Sequence, residues 1–235
     1  MRTPARTIGL LGGMSWVSTA HYYRAINQQV TDQLGGDHCA SLVLWQSDFA
    51  RITDLQRRDN WEGAGEILAA GTEALVAAGA ELIAICANPM HLVVDQVRAA
   101  AVGVEVVSII DAVRDRCIAD QVTTLGLLGT AYTMESAELY PQPLGRVGIE
   151  MLVPTAEERA EIQRHTFDEL IRDVVTDEAR TTFRRACEGL VERGADAIAL
   201  ACTEHGMVIR AGDLSVPVLD STELHINELV RRSLA

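Results

Sequence analysis

The chain has 235 residues, of which 48% are hydrophobic and 4% aromatic, and its formal net charge is −13. This length allows one large α/β domain or two smaller lobes, each with its own core. The negative charge argues against a protein that wraps nucleic acid or docks on an anionic membrane.

Short apolar runs alternate with longer amphipathic segments along the chain. The apolar runs predict β-strands at 7–11, 41–45, 82–86, 105–109, 124–128, 149–152, 197–202 and 216–219. The segments between them predict helices at 15–33, 61–78, 90–100, 157–174, 176–192 and 221–233. Alternation at these lengths is typical of βαβ units, so we predict an α/β fold with parallel sheets.

The five cysteines are odd in number and widely scattered: Cys39, Cys86, Cys117, Cys187 and Cys202. They form no CxxC or Cys/His spacing, so we expect neither a metal site nor a disulfide framework. No apolar stretch has the length of a membrane span or the pattern of a cleaved signal peptide. We therefore expect a protein of the reducing cytoplasm, without a membrane partner.

An internal repeat relates the two halves of the chain. The sequence TIGLLGG at 7–13 recurs as TLGLLGT at 124–130, and AGAELIAICAN at 78–88 recurs as RGADAIALACT at 193–203. We interpret the repeat as a duplication, with 1–117 and 219–235 forming a first lobe and 118–218 a second lobe that faces it across a cleft. Chance similarity between two buried strands is the alternative.

Small and polar residues follow the repeated strands. In open α/β sheets, ligands bind beyond the carboxyl ends of the strands. The predicted ends carry GGMS at 12–15, Ala87 with Asn88, Gly129 with Thr130, and Cys202 with Thr203. Two facing lobes would bring these groups to one small pocket. The glycines at 12 and 13 lack the spacing of a dinucleotide or nucleotide loop, so we expect no nucleotide cofactor.

These motifs resemble, in order and over nearly the whole chain, those of the aspartate/glutamate racemase family. The matching residues are GGMSW at 12–16 with Ser18, Thr19 and YYR at 22–24; Asp48, Phe49 and QRR at 56–58; Asn88, Met90 and His91; LLGT at 127–130 with YTM at 132–134; and Cys202, Thr203 and Glu204. Within the family, the chain is similar to the branch of broad-specificity amino-acid racemases.

The resemblance implies two pseudo-symmetric Rossmann-like lobes and a homodimer. It also implies an isomerase that needs no pyridoxal phosphate and acts on a small amino or dicarboxylic acid. In this chemistry one thiolate removes the α-proton, and a second thiol returns a proton from the opposite face.

Cys202 fits the second thiol of the family, and we expect it to be a general acid/base. It lies where a strand ends and a helix is predicted to begin, an environment that lowers a thiol pKa. A buried structural cysteine is the alternative. Glu204 belongs to the same motif, and we expect it to orient a neighbour or the substrate amine, or else to complement a helix dipole.

The first thiol of the family is missing, because Ala87 stands immediately before Asn88. Ala87 follows Gly79 by eight residues, as Cys202 follows Gly194, so the repeat makes Ala87 the equivalent of Cys202. Cys86 is then expected to face the core, since neighbouring strand residues point to opposite faces.

Pro89 is a second departure from the family, which usually has Thr at this position. Proline offers neither a hydroxyl nor a backbone N–H to a substrate carboxylate. His91 could replace the missing base, or be an ordinary polar helix residue. His205 lies on the helical face of Cys202 and could hold it as a thiolate, or else face solvent or pack against a helix.

Asn88, Thr130 and Thr203 are the residues we expect to bind substrate carboxylates, because each lies at a strand-to-helix turn with free donors. Helix capping is the alternative role for these side chains. The resemblance adds further residues of the predicted substrate site: Met14, Ser15, Gln56, Pro89 and Thr133.

The leading expectation is therefore an amino-acid racemase or epimerase in which Cys202 acts at the substrate Cα. Two alternatives remain open. One is a one-cysteine decarboxylase, isomerase or lyase that protonates from one side, in the manner of arylmalonate decarboxylase. The other is an inactive homologue that binds small acids.

Overall fold

A computed structural model of the protein describes residues 5–235. Within that range the secondary structure comprises, in chain order, β1 (Ile8–Gly12), α1 (Trp16–Leu34), β2 (Leu42–Gln46), α2 (Phe49–Arg57), α3 (Trp61–Ala77), β3 (Leu82–Ile85), α4 (Val94–Ala100), β4 (Glu105–Val107), α5 (Ile109–Ala119), β5 (Thr124–Gly129), α6 (Ala131–Met134), α7 (Pro141–Gly145), β6 (Glu150–Leu152), α8 (Ala156–Asp168), α9 (Asp177–Glu192), β7 (Ala197–Ala201), β8 (Val218–Asp220) and α10 (Ser221–Ser233). Short 3₁₀ helices span Pro89–Val93, Leu170–Arg172 and His205–Met207.

The strands form two four-stranded sheets with the same topology. The first has the order β2-β1-β3-β4 and the second the order β6-β5-β7-β8. All the strand pairs are parallel. The predicted α/β fold with two similar parallel sheets is confirmed, and the repeated sequences form the two central strands of each sheet.

The chain divides into two compact units. One contains the residues up to Ile109 together with His225–Ala235, and the other contains Ile110–Leu224. The lobes expected from the sequence ended at 117 and resumed at 219, and the first four residues of that range lie outside the described part. Helix α5 therefore lies in the second unit apart from its first residue, and α10 passes from the second unit into the first. No Pro- or Ser-rich linker marks either passage in the sequence.

The first sheet is buried on both faces, as its nearly continuous apolar strands require. Residues of β3 alternate between two hydrophobic clusters. Ile83 and Ile85 pack in the cluster that contains Leu11. Leu82 and Ala84 pack in the cluster that contains Leu10. The alternation is the two-residue period of a strand. It fixes which side chains of the following loop face which core.

Four α-helices of the described residues, α2, α5, α6 and α7, were not predicted. Helix α2 has only nine residues, and its start is marked by Asp48, whose carboxylate accepts the Ala50 N–H at 3.1 Å. Helix α5 begins two residues after β4, so the apolar run at 105–110 is shared between a strand and a helix. The predicted strand at 105–109 was therefore too long. Periodicity cannot divide so short a run.

The predicted helix at 157–174 is also interrupted. Helix α8 ends at Asp168, and a single 3₁₀ turn follows at Leu170–Arg172. Asp173 then adopts a left-handed conformation with φ 62° and ends the segment. The start of α8 is a complete capping box, in which Thr155 Oγ1 accepts the Glu158 N–H and Glu158 Oε2 accepts the Thr155 N–H.

Candidate active site

Cys202 is the first residue after β7, at the carboxyl end of a central strand. Its thiol donates a hydrogen bond of 3.3 Å to Glu204 Oε2. The Thr203 hydroxyl donates to the same oxygen at 2.7 Å. Cys202 is 6% exposed and Glu204 is 3% exposed. One buried carboxylate oxygen thus accepts from both a thiol and a hydroxyl.

The predicted α-helix after Cys202 is not present. A turn follows the strand, and then a 3₁₀ helix of three residues, His205–Met207. The favourable dipole of an α-helix N-terminus is therefore absent at Cys202. The pKa of its thiol lies well above the ordinary value, first because of burial and then because of the Glu204 carboxylate. The expected lowering of this pKa was wrong: Cys202 is a neutral thiol bonded to a carboxylate.

Glu204 likewise has no α-helix whose dipole it could complement. Its carboxylate instead accepts the hydrogen bonds of the two residues that precede it. The arrangement matches the first of the two expected roles, in which Glu204 orients a neighbour. A carboxylate within hydrogen-bond distance of a thiol can also accept its proton.

Ala87 and Cys86 face opposite sides of the first sheet. Ala87 packs in the cluster with Met14 and Met90. Cys86 is fully buried in the other cluster, together with Leu10. Burial raises the pKa of the Cys86 thiol far above its ordinary value. Cys86 is a core residue, as the repeat predicted, and Ala87 places its methyl group in the opposite cluster.

His91 is held at both ring nitrogens. It lies in the 3₁₀ helix Pro89–Val93 rather than in the predicted α-helix. Its Nδ1 is 3.0 Å from the Ala87 carbonyl oxygen, and its Nε2 accepts the Ile109 N–H at 3.2 Å. Burial lowers the pKa of His91 to about 4. No lone pair of the ring remains for a substrate, so the geometry opposes a role as replacement base.

His205 packs against helices of the second unit and does not bond Cys202. The ring is fully buried and meets Phe183 edge-on at a centroid distance of 4.6 Å. Its Nε2 is 3.0 Å from the Thr166 hydroxyl, which donates to the Ile162 carbonyl at 2.7 Å. The hydroxyl has one proton, so the His205 Nε2–H is the donor to Thr166. Of the roles considered for His205, the structure supports helix packing, because the ring is fully buried and does not bond Cys202.

The polar residues at the other strand ends are buried, but they do not cap helices. Asn88 precedes the 3₁₀ helix and Thr130 precedes α6, and neither side chain makes a cap hydrogen bond. Thr130 Oγ1 lies 3.5 Å from Thr133 Oγ1. Pro89 is the first residue of its 3₁₀ helix, a position where a missing N–H is tolerated. The capping alternative therefore fails for Asn88 and Thr130.

Gln56 lies beside the first motif. Gln56 is buried in the last turn of α2, and its side-chain Nε2 donates a hydrogen bond to Met90 Sδ at 3.4 Å. Met14 is buried in the same cluster as Met90. Ser15 is also buried, and its carbonyl accepts the Thr19 hydroxyl at 2.8 Å. In the first unit, the predicted residues Met14, Gln56 and Ala87 are thus brought to one end of the sheet.

Gly13 shows why the loop after β1 needs glycine. Its φ is +86°, and a Cβ at this position would lie 2.2 Å from the Ser47 carbonyl oxygen. The backbone after β1 therefore approaches the backbone after β2 too closely for any side chain.

Two residues near the strand ends were missed in the sequence. Gln163 of α8 accepts the Ala131 N–H on its Oε1 at 2.9 Å, and so fixes the backbone next to Thr130. Asp220 lies so close to Gly206 that a Cβ on the glycine would be 2.3 Å from Asp220 Oδ2. Both contacts are distant in sequence and form no motif, so no signal in a single sequence indicates them.

Across residues 5–235, no group of three His, Cys, Asp or Glu side chains is arranged to hold a metal ion. Within the same range, no helix has the length and apolarity that crossing a membrane demands.

Comparisons with known proteins agree with the motifs. The sequence model of the Asp/Glu/hydantoin racemase family matches residues 11–229. The structure of a putative Asp/Glu racemase from Yersinia pestis is 37% identical, covers 98% of this chain and 100% of its own, and superposes with a TM-score of 0.89. An aspartate racemase homologue from Pyrococcus horikoshii is 34% identical, with 98% and 100% coverage and a TM-score of 0.83.

The aspartate racemase of Picrophilus torridus shares the fold at 21% identity, with 97% and 94% coverage and a TM-score of 0.79. The family match extends over most of the chain, and the two more similar structures are covered from end to end. The chain belongs to the Asp/Glu/hydantoin racemase family.

Proposed function

We propose that the protein is a cofactor-independent isomerase that moves a proton at the Cα of a small amino or dicarboxylic acid, with Cys202 as general acid/base. The observation that carries the proposal is the hydrogen bond from Cys202 Sγ to Glu204 Oε2 at the carboxyl end of β7. It joins a proton carrier to a proton acceptor at the position that the family motif assigns to chemistry.

The proton path follows from this pair. Glu204 accepts the Cys202 proton and leaves a thiolate, which removes the substrate α-proton and becomes a thiol again. The electron pair of the broken C–H bond moves into the substrate carboxylate. Positioned donors stabilise the charge that develops there. Cys202 then returns a proton to Cα, and Glu204 gives back the proton that it accepted, so both groups recover their starting state. The raised pKa of Cys202 makes its thiolate a strong base for removal of the α-proton.

The substrate-binding roles rest on burial at the strand ends and on the family resemblance. Asn88 and Thr130 are buried at strand ends and cap no helix, which supports their assignment to a substrate carboxylate. Thr203 is bonded to Glu204 and completes the thiol site. We assign Met14, Ser15, Gln56, Pro89 and Thr133 to the lining of the substrate site on the family resemblance. That resemblance also leads us to propose a cytoplasmic homodimer.

A second candidate function is one-sided protonation, as in a decarboxylase, a lyase or a one-directional isomerase. Ala87 favours it, because a methyl group carries no proton. The neighbouring His91 has both nitrogens bound and does not replace the thiol. Loss of a positioned acid or base typically lowers a rate by about 10²–10⁴. Two-base racemisation would be slow by that factor.

The test is α-proton exchange in deuterated water, followed by ¹H NMR for each enantiomer of a panel of amino and dicarboxylic acids. Chiral chromatography then separates inversion from exchange with retention, and substituted malonates test for release of CO₂. Cys202→Ala is expected to abolish exchange, whereas Cys39→Ser changes an exposed cysteine and should retain it. Full exchange in Cys202→Ala would refute the proposal.

An inactive binding homologue gives a third pattern. A ligand then raises the unfolding temperature by mass action, without any exchange or turnover. Binding would largely survive Cys202→Ala in that case, and the isomerase proposal would be wrong.

A further inference from the structure

Two buried histidines of the first unit, His91 and His225, are packed against each other. Their ring centroids lie 6.4 Å apart and the rings are inclined by 72°. His225 is fully buried and His91 nearly so. The proposed chemistry uses neither ring as a proton carrier. All four ring nitrogens are nevertheless hydrogen-bonded, which shows that the pair is a built feature rather than a packing accident.

The partners fix the tautomer of each ring. His225 Nε2 faces the Val107 carbonyl oxygen at 2.9 Å, so it carries the proton. His225 Nδ1 then accepts the Tyr22 hydroxyl proton, at 2.9 Å. His91 Nε2 accepts the Ile109 N–H, so its Nδ1–H is the donor to Ala87. Both rings are neutral, because an imidazolium at either place would lose its acceptor nitrogen.

Burial supports the neutral state. The pKa of His91 is lowered to about 4, mainly by burial, although the carbonyls of Ala87 and Asn88 oppose the shift. The pKa of His225 is lowered to about 3, first by burial and then by His91. At neutral pH, both rings therefore keep one donor and one acceptor in fixed directions.

The bonded groups lie where the chain enters and leaves the first unit. Val107 is the last residue of β4, and Ile109 is the last residue before the chain continues into the second unit. His225 is the first residue of the first unit after the chain returns. The Ala87 carbonyl belongs to the loop that precedes Asn88. The two adjacent rings therefore connect the segments where the chain leaves and re-enters the first unit to the loop at Ala87 and Asn88.

We propose that His91 is a positioning residue, whose Nδ1–H bond to Ala87 holds the turn at Ala87 and Asn88 while the bond to Ile109 anchors the ring. The proposal goes beyond the proposed function because it assigns a positioning role to His91. Its kinetic test rests on the proposed isomerase activity. The NMR measurements on Asn88 and Ile109 do not depend on that activity.

Two substitutions separate the two bonds of His91. The amide of His91→Asn can donate to Ala87 from the place of Nδ1, but it is too short to reach Ile109. The longer amide of His91→Gln can accept the Ile109 N–H from the place of Nε2, but it leaves Ala87 unbonded. His38 is exposed, so His38→Asn and His38→Gln form a matched pair of controls.

The expected results are opposite for the two variants. His91→Gln should lose about 10²-fold in kcat for α-proton exchange, the scale of a displaced binding group, and shift the Asn88 amide resonance. His91→Asn should keep most of the kcat and the Asn88 resonance, while its Ile109 amide exchanges hydrogen faster. Rates are referred to folded protein, and both His38 variants should match the wild type.

Three outcomes overturn the proposal. Equal loss of kcat in both His91 variants, with loss of the acidic limb of the pH profile, makes His91 a proton carrier. Unchanged kcat and an unmoved Asn88 resonance in both make the ring a packing residue only. Equal rates of hydrogen exchange at the Ile109 amide in both variants would show that the bond from Ile109 to His91 does not anchor the ring. If the wild type shows no α-proton exchange, the proposed function fails, and the two NMR measurements still decide the positioning role.

Discussion

Cys202 and Glu204 share a buried hydrogen bond in which the thiol is the donor and the carboxylate the acceptor, with Sγ and Oε2 3.3 Å apart. The bond keeps the thiol protonated and places an acceptor for its proton in contact. A cysteine in this state resembles an acid awaiting a carbanion more than a preformed thiolate nucleophile. Its reactivity should therefore depend on the charge of Glu204.

Glu204→Gln should lower the pKa of Cys202, because the carboxylate is the second largest cause of its elevation. Alkylation by iodoacetamide at a fixed alkaline pH should then be faster. Exchange at the substrate Cα should fall by about 10²–10⁴, because the amide cannot accept a proton. The pH dependence of alkylation, measured in a Cys39→Ser background, gives the shift.

The control for this variant is Glu157→Gln, an exposed carboxylate in the first turn of α8. It should leave the alkylation profile of Cys202 unchanged. Slower alkylation combined with full exchange in Glu204→Gln would contradict the proton path through Glu204.

Ala87→Cys should restore the first thiol of the family at its own position. Ala87 belongs to the hydrophobic cluster that contains Met14 and Met90, so the added sulfur enters an apolar environment that includes flexible side chains. Inversion of the preferred substrate should rise by about 10²–10⁴, the usual contribution of a positioned acid or base. Chiral chromatography of each enantiomer measures the gain.

Cys86→Ala in the Ala87→Cys background is the matched control, because it removes the neighbouring core thiol. The gain in inversion should survive it. A gain that depends on Cys86 would place the wrong thiol at the site.

The side of the sheet that Ala87 and Cys86 each face could be predicted from the sequence, because the prediction needs only the internal repeat. Counting from Gly79 and Gly194 aligned Ala87 with Cys202, and the two hydrophobic clusters separate Ala87 from Cys86 as that count requires. The parallel α/β character of both sheets likewise follows from the alternation of strands and helices, whereas the strand order was seen only in the structure. Hydrophobic periodicity and the spacing of repeated motifs can be read directly from a single sequence.

The electrostatics of the site could not be predicted in the same way. The pKa of Cys202 depends on burial and on the neighbouring Glu204 carboxylate. The tautomer of His91 depends on Ile109, which is 18 residues away. Neither the pKa of Cys202 nor the tautomer of His91 can be predicted from helix propensity or motif matching. Both arise from which groups the tertiary fold brings within hydrogen-bond distance.

Stability should fall on acidification before the carboxylates are protonated. The pKa of His91 is about 4, and those of His205 and His225 are about 3, against an ordinary value of 6.5. Between these values the unfolded chain binds more protons than the folded one. Stability is therefore complete above pH 6.5 and is lost as the pH falls towards 4 and 3, by up to about 1.4 kcal/mol per pH unit for each histidine.

Urea unfolding at pH 4.5–8 measures this dependence, because Glu228 and the other carboxylates of lowered pKa act below their ordinary value of 4.5. His225→Gln should reduce the slope between pH 4.5 and 6.5, whereas the exposed His38→Gln should leave it unchanged. A stability that is constant from pH 8 to 4.5 would contradict the assignment of neutral buried rings.

Gly206→Ala should destabilise the second unit and displace the turn after Cys202. A Cβ at Gly206 would lie 2.3 Å from Asp220 Oδ2, and Asp220 Oδ1 is held by the backbone N–H groups of Thr222 and Glu223 at 2.8 and 3.3 Å. The carboxylate cannot retreat without losing these bonds at the start of α10. Relief of the clash should cost about 1–3 kcal/mol, as overpacking typically does. Urea unfolding measures the loss.

Gly145→Ala is the matched control, because an added Cβ there has nothing within 4 Å. It should be neutral or stabilise by about 0.4–1 kcal/mol, since alanine restricts the unfolded chain. Asp220→Ser keeps a capping oxygen on a shorter side chain and makes room for the methyl group. Gly206→Ala should therefore cost less in the Asp220→Ser background than alone, and the difference between the two costs measures the coupling of this pair. Equal costs in both backgrounds would show that Asp220 is not the group that requires glycine at 206.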